Sequence, residues 1–169
     1  ISPLYIGELM SWGAIGARTT ESQLHRELSS GIGCPIGFKN GTDGSIKIAI
    51  DAIMATASPH CFLSVAKYGF VTIAKTTGNK DCHIILRGGR TPNFSQNHID
   101  LVKKELKAAG LIDSLMVDLS HGNSGKKYKR QIFVSEDIAY QIATGESAIT
   151  GVMIESNLVE GAQKFEKNK

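Results

Sequence analysis

The sequence predicts an α/β fold of one domain, over residues 1–169, built around a parallel sheet. Short apolar runs alternate along the chain with amphipathic segments of helical periodicity, which is the order of βα units. The apolar runs do not themselves alternate apolar with polar residues, as expected of strands covered on both faces. A partial (β/α) barrel and a doubly wound sheet both fit this pattern.

The first half of the chain is predicted to hold two strand–helix pairs, at 12–18 and 20–29 and then at 35–39 and 46–54. Thr20 and Gln23 have the spacing of a capping box, with Thr20 as the N-cap of the first helix. Between 46 and 54, isoleucines recur at the three- and four-residue intervals of a helix. These two pairs form the first βα units.

The second half is predicted to hold a β-hairpin at 61–75, strands at 83–86, 115–119 and 149–154, and helices at 97–109 and 135–144. The hairpin turn is indicated by Lys67-Tyr68-Gly69. Gly110 and Gly145 are placed to end the two helices as C′ glycines. Ser135 is the predicted N-cap of the last helix.

The composition excludes several classes of protein. A net charge of +3 gives no support to a nucleic-acid or membrane-surface role. No apolar run approaches the ~18 residues of a membrane span. Cys34, Cys61 and Cys82 lack the paired spacing of disulfides or of a zinc site, which favours reduced thiols. We therefore expect no nucleic-acid or membrane partner, and a cytoplasmic location.

Each main predicted strand ends at a side chain that can bind an anion or a metal: Arg18, Lys39, Arg87, His121 and Glu155. Taken singly, each would be interpreted as a solvated loop charge or a structural residue. In a (β/α) barrel, however, the carboxyl ends of the strands form one rim, where active sites lie. The three cations then suit a phosphate or a phosphorylated carboxylate. The histidine and the glutamate suit a divalent metal.

Two other interpretations start from single motifs. A lysine at a barrel strand end is also the nucleophile of Schiff-base aldolases, so Lys39 leaves that alternative open. Ser124-Gly125-Lys126 lacks the spacing of a P-loop. The basic run at 126–130 is interpreted as an exposed loop.

Long segments of the sequence closely resemble class I 3-deoxy-D-arabino-heptulosonate 7-phosphate (DAHP) synthase, of the bacterial and fungal type. They are SWGAIGARTTESQLHRELSSG (11–31), GFKNGTDG (37–44), HIILRGG (83–89), DLSHGNS (118–124) and AITGVMIESNLVEG (148–161). The resemblance implies a (β/α)8 barrel, of which this chain supplies about strands four to eight, with an inserted hairpin at about 61–75.

The resemblance also implies an activity. The family condenses phosphoenolpyruvate with erythrose 4-phosphate in the first step of the shikimate pathway to the aromatic amino acids, with a divalent metal (Mn, Fe, Co or Zn). The residues that match its phosphoenolpyruvate site are Gly16, Ala17, Arg18, Lys39 and Arg87. His121 and Glu155 match metal ligands, and Lys39 and His121 are the expected catalytic residues.

Regulation is implied in the same way. The residues that fall at the family's aromatic amino-acid inhibitor site are Leu28, Ile32, Phe62, Ser64 and Ala74. Ser64, where glycine is the alternative, favours phenylalanine over tyrosine as the inhibitor. A homo-oligomer, either a dimer or a tetramer, is also expected.

Some parts of the family's active site have no match in this sequence. The metal-binding cysteine, the Lys-Pro-Arg-Thr motif for erythrose 4-phosphate and a final metal-binding aspartate are not found. We therefore expect the chain alone to expose apolar strand edges, and to be neither stable nor active. A vestigial or purely amino-acid-binding protein is one alternative, and the related octulosonate phosphate synthase branch is another.

Overall fold

A computed structural model describes residues 7–160 and confirms the α/β architecture. The strands are β1 (Gly13–Ile15), β2 (Ile36–Lys39), β3 (Cys61–Val65), β4 (Val71–Lys75), β5 (Cys82–Leu86), β6 (Leu115–Asp118) and β7 (Ile149–Met153). The helices are α1 (Gln23–Ser30), α2 (Lys47–Thr56), α3 (Gln96–Ala108), α4 (His121–Ser124) and α5 (Arg130–Ala143), after a 3₁₀ turn at Gly7–Leu9. Within this range, no helix is long and apolar enough to cross a membrane.

The main sheet is entirely parallel in the described part of the chain, with the strand order β1-β2-β5-β6-β7. Each strand therefore lies beside the next sheet strand along the chain, with helical segments in the connections. A doubly wound sheet needs a point where the strand order reverses, and this order has none. The sheet is thus that of a partial (β/α)8 barrel, with β3 and β4 forming a separate antiparallel hairpin.

The core lies between the sheet and its helices. Phe38 of β2 and Ile84 of β5 are fully buried, and every residue of β2 is buried. Ile99, Val102 and Leu106 recur along α3 and close the same core. Burying an aliphatic or aromatic side chain of this size contributes about 1.5–3 kcal/mol. The apolar runs of β2, β5 and β6 are therefore covered on both faces, as predicted, whereas β1 and β7 at the sheet edges alternate between more buried and more exposed residues.

The prediction of Thr20 as an N-cap is wrong. α1 begins at Gln23, after Ser22, and Thr20 is completely buried before it. Its hydroxyl donates to the carbonyl oxygen of Lys39 at 2.8 Å, which ties the loop after β1 to the end of β2. The predicted strand at 12–18 is shortened for a related reason, since the carbonyl of Gly16 accepts the N–H groups of Thr19 and Thr20 in a turn. Thr20 is therefore positioned by a tertiary hydrogen bond and does not cap the helix.

The last predicted helix begins earlier than expected. α5 starts at Arg130, so Ser135 lies inside it and is not its cap. The hydroxyl of Ser135 donates to the carbonyl of Ile132 at 2.7 Å. The two stop glycines are confirmed, because Gly110 and Gly145 both have positive φ, at 70° and 113°. The exposed loop predicted for the basic run is also present, as residues 125–130 are exposed.

Candidate active site

A cavity of about 320 Å³ opens at the carboxyl ends of the parallel strands. It is lined by Gly16, Ala17, Arg18, Thr19, Lys39, Thr42, Arg87, His121 and Glu155. All of the residues expected to hold phosphoenolpyruvate and a metal thus lie around one space. They follow β1, β2, β5, β6 and β7, so the convergence comes directly from the parallel order of the sheet.

Lys39 is the last residue of β2, and its side chain reaches a carboxylate on β6. Its Nζ donates to Oδ2 of Asp118 at 2.7 Å, and Asp118 has no exposed surface. Burial alone would raise the pKa of Asp118, but hydrogen bonds from Lys39 and Ser120 outweigh it and leave the pKa below its usual value. The group is therefore a buried carboxylate ion that compensates the lysine.

His121 stands at the start of the short helix α4 with a left-handed backbone, at φ 48°. This conformation is uncommon for a residue other than glycine. Its Nδ1 lies 2.8 Å from Oδ2 of Asp118, and its Nε2 lies 3.5 Å from Oε1 of Glu155. With Nδ1–H donating to the carboxylate, the lone pair of Nε2 faces Glu155.

One nitrogen and one carboxylate oxygen facing each other fit a divalent transition metal. Glu155 is held in place by Gln131 of α5, which binds both its backbone N–H and its carbonyl. Among residues 7–160, however, no group of three or more His, Cys, Asp or Glu could hold a metal ion. Among the described residues, His121 and Glu155 are therefore two donors that such a site could use.

The two arginines of the cavity differ from Lys39. Arg87 is buried, with 9% of its surface exposed, whereas Arg18 is exposed. Within the described range, neither forms an ion pair with a carboxylate. Two uncompensated guanidinium groups, each able to bind an anion through two N–H groups, therefore face the cavity.

Three buried asparagines connect the loops that carry these residues. Oδ1 of Asn40 accepts the backbone N–H of Arg87 at 2.8 Å and Nδ2 of Asn93 at 3.2 Å. Asn123 accepts the N–H of Asn93 at 2.9 Å and donates to the carbonyl of Leu86. The loops after β2, β5 and β6 are thus joined by side-chain hydrogen bonds that local sequence patterns do not reveal.

Two of these loops also touch through their backbones. A Cβ added at Gly88 would lie 2.6 Å from the carbonyl carbon of Gly122, and Gly88 has a φ of 73°. Both features exclude a side chain at this position. Glycine therefore sets the distance between Arg87 on one loop and His121 on the other.

A second cavity, of about 610 Å³, lies between the end of α1 and the hairpin. It is lined by Ile32, Phe62, Ser64 and Ala74, four of the residues that the resemblance assigned to an inhibitor site. Leu28 differs, since in the described structure it packs against the core and is not among the cavity residues.

The wall of this second cavity is fixed by side-chain hydrogen bonds that the sequence did not indicate. Nδ2 of Asn79 donates to three backbone carbonyls, those of Ser29, Ile32 and Cys34. Ser30 and Thr76 share a hydroxyl contact of 2.8 Å. The end of α1 and the segment after β4 are therefore held together.

A family model described as "DAHP synthetase I family" matches residues 1–169. The chain belongs to this family. It is 61% identical over 169 residues to the Phe-sensitive phospho-2-dehydro-3-deoxyheptonate aldolase of Escherichia coli (strain K12), covering 100% of this chain and 48% of that protein. It is 54% identical to the Tyr-sensitive aldolase of the same organism, covering 98% of this chain and 47% of that protein.

Solved structures agree with the family assignment. The phospho-2-dehydro-3-deoxyheptonate aldolase from Francisella tularensis SCHU S4 matches with a TM-score of 0.92 and 51% identity, over 98% of this chain and 49% of that one. A DAHP synthase from Thermotoga maritima matches with a TM-score of 0.58 at 19% identity, which supports the fold alone. This DAHP synthetase I chain spans about half the length of the curated relatives it matches.

Proposed function

We propose that this chain forms the phosphoenolpyruvate-binding side of the active site, and part of the metal site, of a DAHP synthase. That enzyme condenses phosphoenolpyruvate with erythrose 4-phosphate. The observation that supports this most strongly is the single cavity that brings together Arg18, Lys39, Arg87, His121 and Glu155. Family membership and relatives named as phospho-2-dehydro-3-deoxyheptonate aldolases support the same reaction.

In this proposal the three cations hold the phosphate and the carboxylate of phosphoenolpyruvate. Arg18 and Arg87 supply planar, bidentate donors, while Lys39 supplies a compact charge already directed by Asp118. The backbone of Gly16-Ala17 lies beside the same space and lets the ligand approach closely. The main contribution of these residues is to hold phosphoenolpyruvate so that its carbon 3 faces the aldehyde.

His121 and Glu155 would hold the divalent metal, whose identity we leave among Mn, Fe, Co and Zn. When bound, such a metal polarises the aldehyde carbonyl as a Lewis acid. The histidine must present a neutral ring with a free Nε2 lone pair. The hydrogen bond from its Nδ1 to Asp118 favours that tautomer and orientation.

Substitution of the two metal ligands tests this proposal. In the full-length protein, His121→Ala and Glu155→Ala should each abolish metal-dependent turnover of the two substrates and weaken Mn²⁺ binding. Glu146→Gln is a suitable control, because Glu146 is a buried carboxylate bound by Lys103 before β7, at the opposite end of the sheet. Near-normal turnover in either alanine variant would overturn the assignment.

Substrate binding provides a second test. Arg87→Ala should chiefly raise the KM for phosphoenolpyruvate, because it removes a guanidinium from the cavity without touching the metal ligands. Borohydride trapping with the aldehyde substrate, erythrose 4-phosphate, tests the Schiff-base alternative, in which Lys39 would be labelled. The presence of Arg18 and Arg87 in the same cavity as Lys39 argues against that alternative, since three cations together suit a polyanion.

We also propose that the 610 Å³ cavity between α1 and the hairpin binds an aromatic amino acid that inhibits the enzyme, with phenylalanine favoured over tyrosine. Its volume lies within the range of small-molecule sites. The names of the relatives include Phe-, Tyr- and Trp-sensitive forms. Inhibition by phenylalanine that Ser64→Gly shifts toward tyrosine would support the preference.

One observation favours a second candidate, an amino-acid-binding protein without catalysis. The described residues hold only two possible metal ligands. Phenylalanine binding with no turnover under saturating metal would support that candidate. We further propose a cytoplasmic homo-oligomer, with which the free thiols of Cys34, Cys61 and Cys82 are compatible.

A further inference from the structure

One buried carboxylate connects the two halves of the candidate active site. Oδ2 of Asp118 lies 2.7 Å from Nζ of Lys39 and 2.8 Å from Nδ1 of His121. Its other oxygen, Oδ1, accepts the N–H of Ser120 at 2.9 Å and the hydroxyl of Ser120 at 2.6 Å. The side chain is completely buried at the end of β6.

These contacts exhaust what the carboxylate can accept. A carboxylate offers about four acceptor positions, and all four are used by groups of this chain. No position is left for a metal or a substrate, so Asp118 is neither a metal ligand nor an anion-binding residue. Its effect on either ligand must pass through Lys39 or His121.

The two side chains that share Oδ2 have different proposed functions, one in anion binding and the other in metal binding. Lys39 comes from β2 and faces the space assigned to an anion, while His121 comes from α4 and faces Glu155. A hydrogen bond from a ligating histidine to a carboxylate fixes its tautomer and increases its basicity. Any change at Lys39 therefore changes how strongly the same oxygen holds His121.

We propose that Asp118 is a positioning residue that couples the anion-binding lysine to the metal-binding histidine by sharing one carboxylate oxygen between them. This inference rests on the proposed function, because it takes His121 as a metal ligand. It goes further in predicting that metal affinity depends on Lys39, which touches no metal.

Substitutions of Asp118 and of Lys39 should change metal affinity in opposite directions. Asp118→Asn has a single carbonyl oxygen and keeps at most half of the four hydrogen bonds, so Mn²⁺ affinity should fall about tenfold to hundredfold. Lys39→Met leaves the whole charge of Asp118 to His121, so Mn²⁺ affinity should rise several-fold. In the double variant this rise should shrink, since the shared oxygen is gone.

The experiment is calorimetric titration of the purified, metal-free protein with Mn²⁺ alone, without phosphoenolpyruvate. Glu146→Gln is the matched control, because it disturbs another buried carboxylate–lysine pair but no residue of the cavity. If Asp118→Asn fails to fold, Ser120→Ala replaces it. That variant keeps the carboxylate but removes the 2.6 Å hydrogen bond to it, so, as with Lys39→Met, more of the charge of Asp118 is left to His121 and Mn²⁺ affinity should rise by a few-fold.

The outcomes separate this inference from the function on which it rests. A loss of affinity in Asp118→Asn, a gain in Lys39→Met and no change in Glu146→Gln support the coupling. Wild-type Mn²⁺ affinity in Asp118→Asn, with binding lost in His121→Ala, overturns the coupling alone. Unchanged binding in His121→Ala overturns the metal site itself. Equal losses in Asp118→Asn and Glu146→Gln reduce Asp118 to a general stabilising residue and overturn the coupling.

Discussion

The two ends of the parallel sheet bury polar groups in different ways. At the carboxyl end, Lys39 and Asp118 form a buried ion pair, and asparagines join the loops by paired hydrogen bonds. At the amino end, a cavity of about 480 Å³ is lined by Trp12, Cys82 and His83 among others. Burial there lowers the pKa of His83 and raises that of Cys82 to about 12.

This difference indicates that the carboxyl end of the sheet maintains charged groups, whereas the cavity at the amino end holds neutral groups that pack. Charges persist in a buried site only where each has a partner, and the carboxyl end provides those partners. In the cavity at the amino end, Cys82 and His83 are buried without an opposing charge, so these two groups stay neutral and serve packing. Here Trp12 donates to Nε2 of His83 at 3.2 Å and stacks on its ring. We therefore expect substitutions to cost more at the carboxyl end.

The largest effect is expected for Gly88→Ala at the carboxyl end. The new methyl would collide with the backbone of Gly122 at 2.6 Å, in addition to the strain of a positive φ. The free energy of unfolding should fall by about 3 kcal/mol. Chemical denaturation of the purified protein measures this change.

Gly110→Ala is its matched control, because Gly110 has nearly the same φ, 70°, and nothing within 4 Å of the added atom. It should lose only about 1 kcal/mol, the cost of the left-handed backbone alone. Equal losses in the two variants would mean that the contact between the loops has no energetic importance.

A somewhat smaller effect is expected for Asn40→Ala. The variant leaves the N–H of Arg87 and the amide of Asn93 without their acceptor inside the protein. Unsatisfied buried donors should lower the free energy of unfolding by about 2 kcal/mol. The exposed Asn97 provides the control, and Asn97→Ala should stay within about 0.5 kcal/mol of wild type in the same denaturation experiment.

A smaller, pH-dependent effect is expected at the amino end. The pKa of His83 in the folded protein lies below its ordinary 6.5, so the unfolded chain takes up the proton first as the pH falls. Stability should therefore be lost as the pH drops through and below 6.5. Urea midpoints at pH 7.5 and 5.5 should differ less in His83→Gln than in wild type. His98 of α3 is exposed, and His98→Gln should behave like wild type. If the urea midpoint of His83→Gln falls as much as that of wild type between the two pH values, His83 does not have this role.

The smallest effect concerns reactivity and not stability. With a pKa of about 12, only roughly one Cys82 thiol in ten thousand is ionised at pH 8. A brief treatment with iodoacetamide should label the exposed Cys61 and leave Cys82 unmodified, as peptide mass spectrometry can show. Faster labelling of Cys82 would mean that the amino end opens readily to solvent.

The sequence predicted the parts of this molecule that depend on local order. Apolar runs gave the strands, and the residue after each run gave the members of the cavity, because parallel strands end on one rim. The buried partners could not be predicted in the same way. Lys39 and Asp118 are 79 positions apart, and an aspartate within LMVDL carries no local sign of its lysine. The Thr20 cap was wrong because a tertiary acceptor, the carbonyl of Lys39, displaced a local rule.

The backbone contact between Gly88 and Gly122 has a consequence for engineering the cavity. Because the loops after β5 and β6 touch through their backbones, we expect an insertion in either to displace both Arg87 and His121. A library aimed at new substrates is therefore best restricted to side chains that face the cavity from outside these loops, such as Thr19 and Thr42. Loop length, the usual variable in redesigning barrel enzymes, is a poor choice at these two loops.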